Sequence, residues 1–157
     1  MRTLIVDADY IAYRYAFANQ LEMDWGEGVV SRSADLKAAK REVVSLLGGW
    51  ADEFEANIVL ALSDPDSNWR IAVLPSYKQH RKADRRPDLW EPLRDFLAEN
   101  WKHYLRPTLE GDDICGILAT SKTIIPGDKI VVGIDKDLKT IPCKLFNPVK
   151  GTRKVIL

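Results

Sequence analysis

The run Lys129-Ile130-Val131-Val132-Gly133-Ile134, closed by Asp135-Lys136-Asp137, decides how this chain folds. A short, β-branched apolar run without alternation reads as a strand buried on both faces, the kind found in parallel sheets. Carboxylates at its end lie where such sheets bind ligands. The pattern recurs upstream: Thr3-Leu4-Ile5-Val6 stops at Asp7, and Asn57-Ile58-Val59-Leu60-Ala61-Leu62 stops at Ser63-Asp64 in a Pro-containing turn.

Helical spacing fills the intervals. Tyr10, Ile11, Tyr13, Arg14 and Phe17 predict a helix packed on the first strand. A polar connection over 22–33 carries no motif. Ser33 then caps a second helix, with Leu36, Ala39, Val43, Leu46, Leu47 and Trp50 on its apolar stripe and Gly48-Gly49 weakening its end. Pro87-Asp88 opens another, Asp88 serving as N-cap and Glu91 completing a capping box, with Leu89, Leu93, Phe96, Leu97 and Trp101 inward. His103-Tyr104-Leu105-Arg106 is a weak strand, Cys143-Lys144-Leu145-Phe146 a later one, and Val155-Ile156-Leu157 a short terminal one. Strands alternating with helices imply an α/β fold, a mainly parallel sheet flanked by helices. At 157 residues one domain over 1–157 is expected.

Composition excludes several classes. Lys+Arg and Asp+Glu both number 23, so the formal net charge is +0, and local asymmetry matters more than the total. Cys115 and Cys143 are too few and too isolated for a disulfide framework or a zinc site, and read as small core residues. No apolar run approaches the ~20 residues of a membrane span, and the chain opens directly into a strand, so a cytoplasmic protein with no membrane partner is expected.

The chemistry concentrates at Leu109-Glu110-Gly111-Asp112-Asp113-Ile114. Ile114, Ile117 and Leu118 continue at helical spacing, placing Asp112 and Asp113 in a first turn, where the helix dipole offsets part of their repulsion. With Asp7, Asp64, Asp135 and Asp137, four acidic sites fall at strand ends and should converge in one crevice. Any one such Asp is as readily a helix cap. Four in register are a self-repelling crevice, which one or two bound divalent cations would resolve. Oxygen donors without His or Cys select Mg²⁺ or Mn²⁺ over Zn²⁺. Two such ions ~3.5–4 Å apart support phosphodiester hydrolysis.

A basic and aromatic segment over 66–86 carries Arg70, Lys78, His80, Arg81, Lys82, Arg85 and Arg86 among Trp69 and Tyr77. Taken singly it reads as a solvated charged loop. Beside an acidic crevice it suits a phosphate-rich polymer. Together they point to a metal-dependent nuclease, with DNA and RNA both open on charge alone.

These residues resemble the 5′-nuclease family: flap endonucleases, the 5′-nuclease domain of bacterial DNA polymerase I and, most of all, the 5′-3′ exonucleases of podovirus-type phages. Ser63-Asp64 through Asn68-Trp69-Arg70, then Tyr77-Lys78 with Arg81-Lys82, resembles the segment leading into the family's helical arch. Leu109-Glu110-Gly111-Asp112-Asp113 and Asp135-Lys136-Asp137-Leu138-Lys139-Thr140-Ile141-Pro142 resemble its two later acidic motifs. The resemblance implies a PIN-like fold, Mg²⁺ or Mn²⁺, and hydrolysis of DNA at 5′ ends or flaps. It implies Asp7, Asp64, Glu110, Asp112, Asp113, Asp135 and Asp137 as metal ligands or holders of metal-bound waters, with Asp7, Asp112 and Asp135 central to catalysis. Lys78 and Arg81 would steady the scissile phosphate. Arg70, Lys82 and Arg85 would be further DNA contacts, and Tyr77 a base-stacking residue or a core residue. Family members continue into a helix-three-turn-helix region beyond the point where this sequence ends, so a short form, or a separate polypeptide supplying that half, is expected.

Three alternatives stay open. Leu4-Ile5-Val6-Asp7-Ala8-Asp9 also fits the opening of haloacid-dehalogenase-type phosphatases, with Asp7 as nucleophile and Asp9 as acid/base. A stand-alone PIN ribonuclease shares the size and the acids. A non-catalytic DNA-binding module is the third.

Overall fold

The computed structural model describes residues 1–66, 69–74, 87–149 and 152–155. Strand β1 (Arg2–Asp7) lies in the middle of a six-stranded sheet of order β5-β4-β1-β6-β7-β8. It pairs in parallel with β4 (Ala56–Leu62) on one side and β6 (Lys129–Val132) on the other. Parallel pairing continues outward to β5 (His103–Leu105) and β7 (Lys144–Asn147), and only β8 (Thr152–Val155) runs antiparallel. The mainly parallel α/β architecture expected from the buried apolar runs is therefore the one observed.

Both sheet faces are covered, which is why β1 and β4 read as continuous apolar runs. Leu4, Val6, Leu60, Leu62 and Val132 face α1 (Ala8–Ala18), α2 (Leu36–Phe54) and α4 (Trp90–Asn100). Ile5, Val59, Ala61 and Val131 face α5 (Gly111–Thr120) through Ile114, Cys115 and Leu118. Cys115 is a buried free thiol, in keeping with its reading as a core residue.

Several boundaries differ from expectation. The connection over 22–33 is an antiparallel hairpin, β2 (Gln20–Gly26) with β3 (Val29–Ala34), standing apart from the main sheet. Helix α2 is capped by Asp35, whose side chain accepts from Ala38 N, and not by Ser33, which lies in β3. It runs through Gly48-Gly49 to Phe54 and stops where Glu55 turns left-handed at φ 49°. Helix α4 starts at Trp90 with Leu89 at its N-cap, while Asp88 uses its backbone N–H on the Gln20 side chain. Helix α1 buries its small face, Ala8, Ile11, Ala12 and Ala16, and leaves Tyr13 and Phe17 51% and 66% exposed, stacked on each other. Among the described residues no helix is long and apolar enough to cross a membrane.

Candidate metal centre

Because β1, β4, β5 and β6 run parallel, their carboxyl ends open on one edge, and the chain leaves each there carrying acids. Asp7 ends β1 and stands at the N-cap position of α1. Asp135 follows β6 and caps the short 3-10 turn Lys136–Thr140, accepting from Asp137 N at 2.9 Å. Glu110 is the N-cap of α5, so Asp112 and Asp113 occupy the first turn, as the sequence spacing requires.

Two groups of oxygens result. One oxygen each from Glu110, Asp112 and Asp113 lies within 4.8 Å of the others, and so does one each from Asp112, Asp135 and Asp137. Asp112 belongs to both. Asp7 sits in the field of Asp9, Asp112 and Asp135. Burial first, and then those three carboxylates, push its carboxyl up to about 8, against which the Tyr10 N–H acts only in part. Burial, then Glu110 and Asp113, raise Asp112 to about 6. A half-buried carboxyl held up by like charges is a position that a hard cation would relieve. The donors are all carboxylate oxygens, so the residues present fit a hard divalent ion.

Asp113 behaves oppositely. Burial would raise it, but Arg70 from α3 (Trp69–Val73) grips both of its oxygens, at 2.7 and 2.9 Å, and with the Glu110 N–H and the Trp69 indole holds it below the usual carboxylate range. Arg70 also reaches Glu110 at 3.1 Å. A bidentate guanidinium–carboxylate pair is the stronger, orientation-fixing kind. Arg70, expected from the resemblance as a DNA contact, thus sits on the acidic cluster itself.

Asp64 is not in either oxygen group. Its two oxygens accept from the backbone N–H of Asp66 and Thr108, tying the end of β4 to the loop before α5. The remaining candidates, Tyr77, Lys78, Arg81, Lys82 and Arg85, lie outside the described residues.

Sequence reasoning passed over three residues in this neighbourhood. Asp9, weighed only as a phosphatase acid, accepts from Ser63 N at 2.8 Å and faces Arg94 at 3.5 Å. One oxygen is thus tied to the backbone after β4, while the other meets the Arg94 charge without a hydrogen bond. Ser63 Oγ accepts from Gly111 N at 2.7 Å. The available signal was Arg94 itself, a charge at a position four after Trp90 and three before Leu97 on an otherwise apolar stripe.

Two glycines allow the crevice to close. A Cβ on Gly111 would stand 3.1 Å from Asp7 Oδ1 and 3.2 Å from Asp9 Oδ2, and one on Gly133 would stand 2.4 Å from Leu138 Cδ1 and 3.2 Å from Asp7 Cβ. Both segments approach Asp7 so closely that a side chain there would force its neighbours to shift.

No protein-family model matches the chain. An exonuclease of Escherichia phage T7 is 31% identical over 147 residues, 88% of this chain and 49% of that protein. The flap endonuclease Xni of Shewanella halifaxensis (strain HAW-EB4) is 32% identical over 83 residues, 52% of this chain and 31% of that protein. The chain thus spans about half the length of the phage exonuclease it matches. In fold it is similar to phage T5 5′-exonuclease solved with divalent metal ions (zinc), at a TM-score of 0.72 and 14% identity over 99% of this chain and 58% of that one. The T5 flap endonuclease solved with DNA and metal ions gives 0.70 at 12% identity, with the same coverage. Sequence similarity to a phage exonuclease and the fold shared with T5 5′-exonuclease agree in supporting the 5′-nuclease family.

Proposed function

We propose that this chain acts as a divalent-metal-dependent 5′-3′ exonuclease or flap endonuclease, hydrolysing phosphodiester bonds of DNA at 5′ ends with Mg²⁺ or Mn²⁺. The observation that carries the reading is Asp112, shared by two carboxylate groups at the carboxyl edge of a parallel sheet. Asp7, Asp112, Asp135 and Asp137 would hold one ion, and Glu110 and Asp112, steadied by the Arg70-clamped Asp113, would help to hold another. Bound there, a divalent ion supplies Lewis-acid activation of water and stabilises charge on the departing oxygen.

The protein's part is to hold these carboxylates in place for the ion. Helix α5 does so by rooting Asp112 in its first turn, where the dipole favours negative charge. By family resemblance, Lys78 and Arg81 would steady the scissile phosphate, with Tyr77, Lys82 and Arg85 along the DNA path. A separate polypeptide would add further contacts to the DNA.

The test is a Mn²⁺ titration on 5′-labelled DNA beside matched RNA. Cleavage that requires Mn²⁺, starts at the 5′ end and favours DNA is the expected result. Preferred cleavage of RNA, or DNA binding with no cleavage at any Mn²⁺ concentration, overturns it.

A further inference from the structure

Arg94 interrupts the apolar stripe of α4 and is 6% exposed. Its guanidinium lies over the Trp90 ring at 4.7 Å, its Nη2 donates to the Ser63 carbonyl at 2.5 Å, and its Nε faces Asp9 Oδ1 at 3.5 Å. Asp9 Oδ2 accepts from Ser63 N, and Ser63 Oγ accepts from Gly111 N. One buried guanidinium thus binds together the start of α1, the end of β4 and the first residue of α5. Two of those three segments carry Asp7 and Asp112.

Stability does not account for this arrangement. A buried ion pair is seldom worth more than apolar side chains of the same volume. Here the facing atoms, Asp9 Oδ1 and Arg94 Nε, are buried with no hydrogen-bond partner among the described residues. What the pair does accomplish is geometric. Ser63 is held through its carbonyl and its N–H at once, so its hydroxyl oxygen presents a fixed acceptor to Gly111. Gly111 is in turn pressed against Asp7 so closely that a Cβ would crowd both Asp7 and Asp9.

We propose that Asp9, Arg94 and Ser63 form a positioning device for the metal centre: through the Ser63–Gly111 hydrogen bond they set the separation of Asp7 and Asp112, and with it the affinity for a divalent ion. None of the three touches ion or substrate. The inference rests on the reading that Asp7 and Asp112 hold such an ion. Partners of this kind, one step removed from the ligands, typically change metal affinity or activity by about 10–100-fold when removed.

The experiment is calorimetric titration of the full chain with Mn²⁺ for wild type, Arg94→Met and Ser63→Ala. Circular dichroism checks the fold, and cleavage of 5′-labelled DNA is measured across Mn²⁺ concentrations. Arg94→Met should weaken Mn²⁺ binding about 10-fold or more, and Ser63→Ala, which removes one acceptor, by about 3–10-fold. Activation of cleavage should shift to higher Mn²⁺ by the same factor, with kcat recovering at saturation and KM for DNA unchanged. A role in folding alone would not produce that split. Should Arg94→Met fail to fold, Ser63→Ala decides. Mn²⁺ affinity within about twofold of wild type in the folded variants overturns the positioning role and leaves the nuclease reading standing. A wild-type chain that binds no Mn²⁺ overturns both.

Discussion

Asp112 is the residue on which opposing demands meet. It is shared by both oxygen groups, and burial with Glu110 and Asp113 raises it to about 6, a cost accepted in the folded chain. Replacing it with Asn removes charge and keeps shape. Asp112→Asn should lower Mn²⁺-dependent cleavage on the order of 100-fold or more, because a ligand charge to both positions is lost. In EDTA the same variant should be no less stable than wild type, and more stable by up to about 1 kcal/mol, since repulsion from Glu110 and Asp113 is relieved. A thermal melt and a cleavage assay on one preparation check both halves. At this scale the sequence was informative wherever an acid ended a strand or opened a helix, because parallel strands deliver their ends to one edge. It counted Asp64 among the crevice acids and gave no sign of its engagement with the backbone, which depends on how the loop before α5 folds back. It was equally silent on the partnership of Asp9 and Arg94, which joins α1 to α4 and leaves only a misplaced charge as its trace.

Among the elements, the tightest fit is β6 against the 3-10 turn that follows it. Gly133→Ala would drive a methyl to 2.4 Å from a Leu138 side chain that is itself fully buried. We expect a loss of about 1–3 kcal/mol by denaturant unfolding, together with reduced cleavage as Asp135 moves. At the other end of the sheet, Asp128 takes Arg2 from β1 at 2.9 Å and Lys144 from β7 at 3.2 Å. The Arg2 hydrogen bond, aided by Lys144, lowers its carboxyl below the ordinary value. A depressed acid contributes stability above its unfolded pKa of ~3.9 that is lost as pH falls through the lower folded value. Asp128→Asn should therefore cost up to about 1 kcal/mol at neutral pH, the group being well exposed, and nothing once wild type is itself protonated. Unfolding curves at pH 7 and pH 2.5 test the sign. Buried strands and α2 were legible because burial on two faces, or on one stripe, leaves a period. The β2–β3 hairpin was not read, although Leu21-Glu22-Met23-Asp24-Trp25 alternates and Gly26-Glu27-Gly28 turns. With Leu21, Met23 and Trp25 exposed, the alternation marks no core and resembles a polar linker. The N-caps slipped for a related reason: Ser33 and Asp88 have the right chemistry, and tertiary hydrogen bonding settled elsewhere.

Taken whole, the molecule gathers two overlapping carboxylate groups at one edge of the sheet, so an ion bound there should stabilise the entire fold. At a free Mn²⁺ concentration 100 times the dissociation constant the gain is about 2.7 kcal/mol, a rise of roughly 5–10 °C in Tm that excess EDTA reverses. An unchanged Tm would mean that no ion is held.

The central place of β1 carries one more consequence, for the order in which the carboxylate groups are assembled. Residues 3–6 are among the first made, yet their partners on one side are 129–132, close to the far end of the sequence. Contacts of such separation close late, after the loop-closure entropy of everything between has been met. Until β6 docks, Asp7 and Asp112 have no Asp135 or Asp137 opposite them. A half-folded chain therefore lacks the group that Asp112 forms with Asp135 and Asp137, and the docking of β6 completes it.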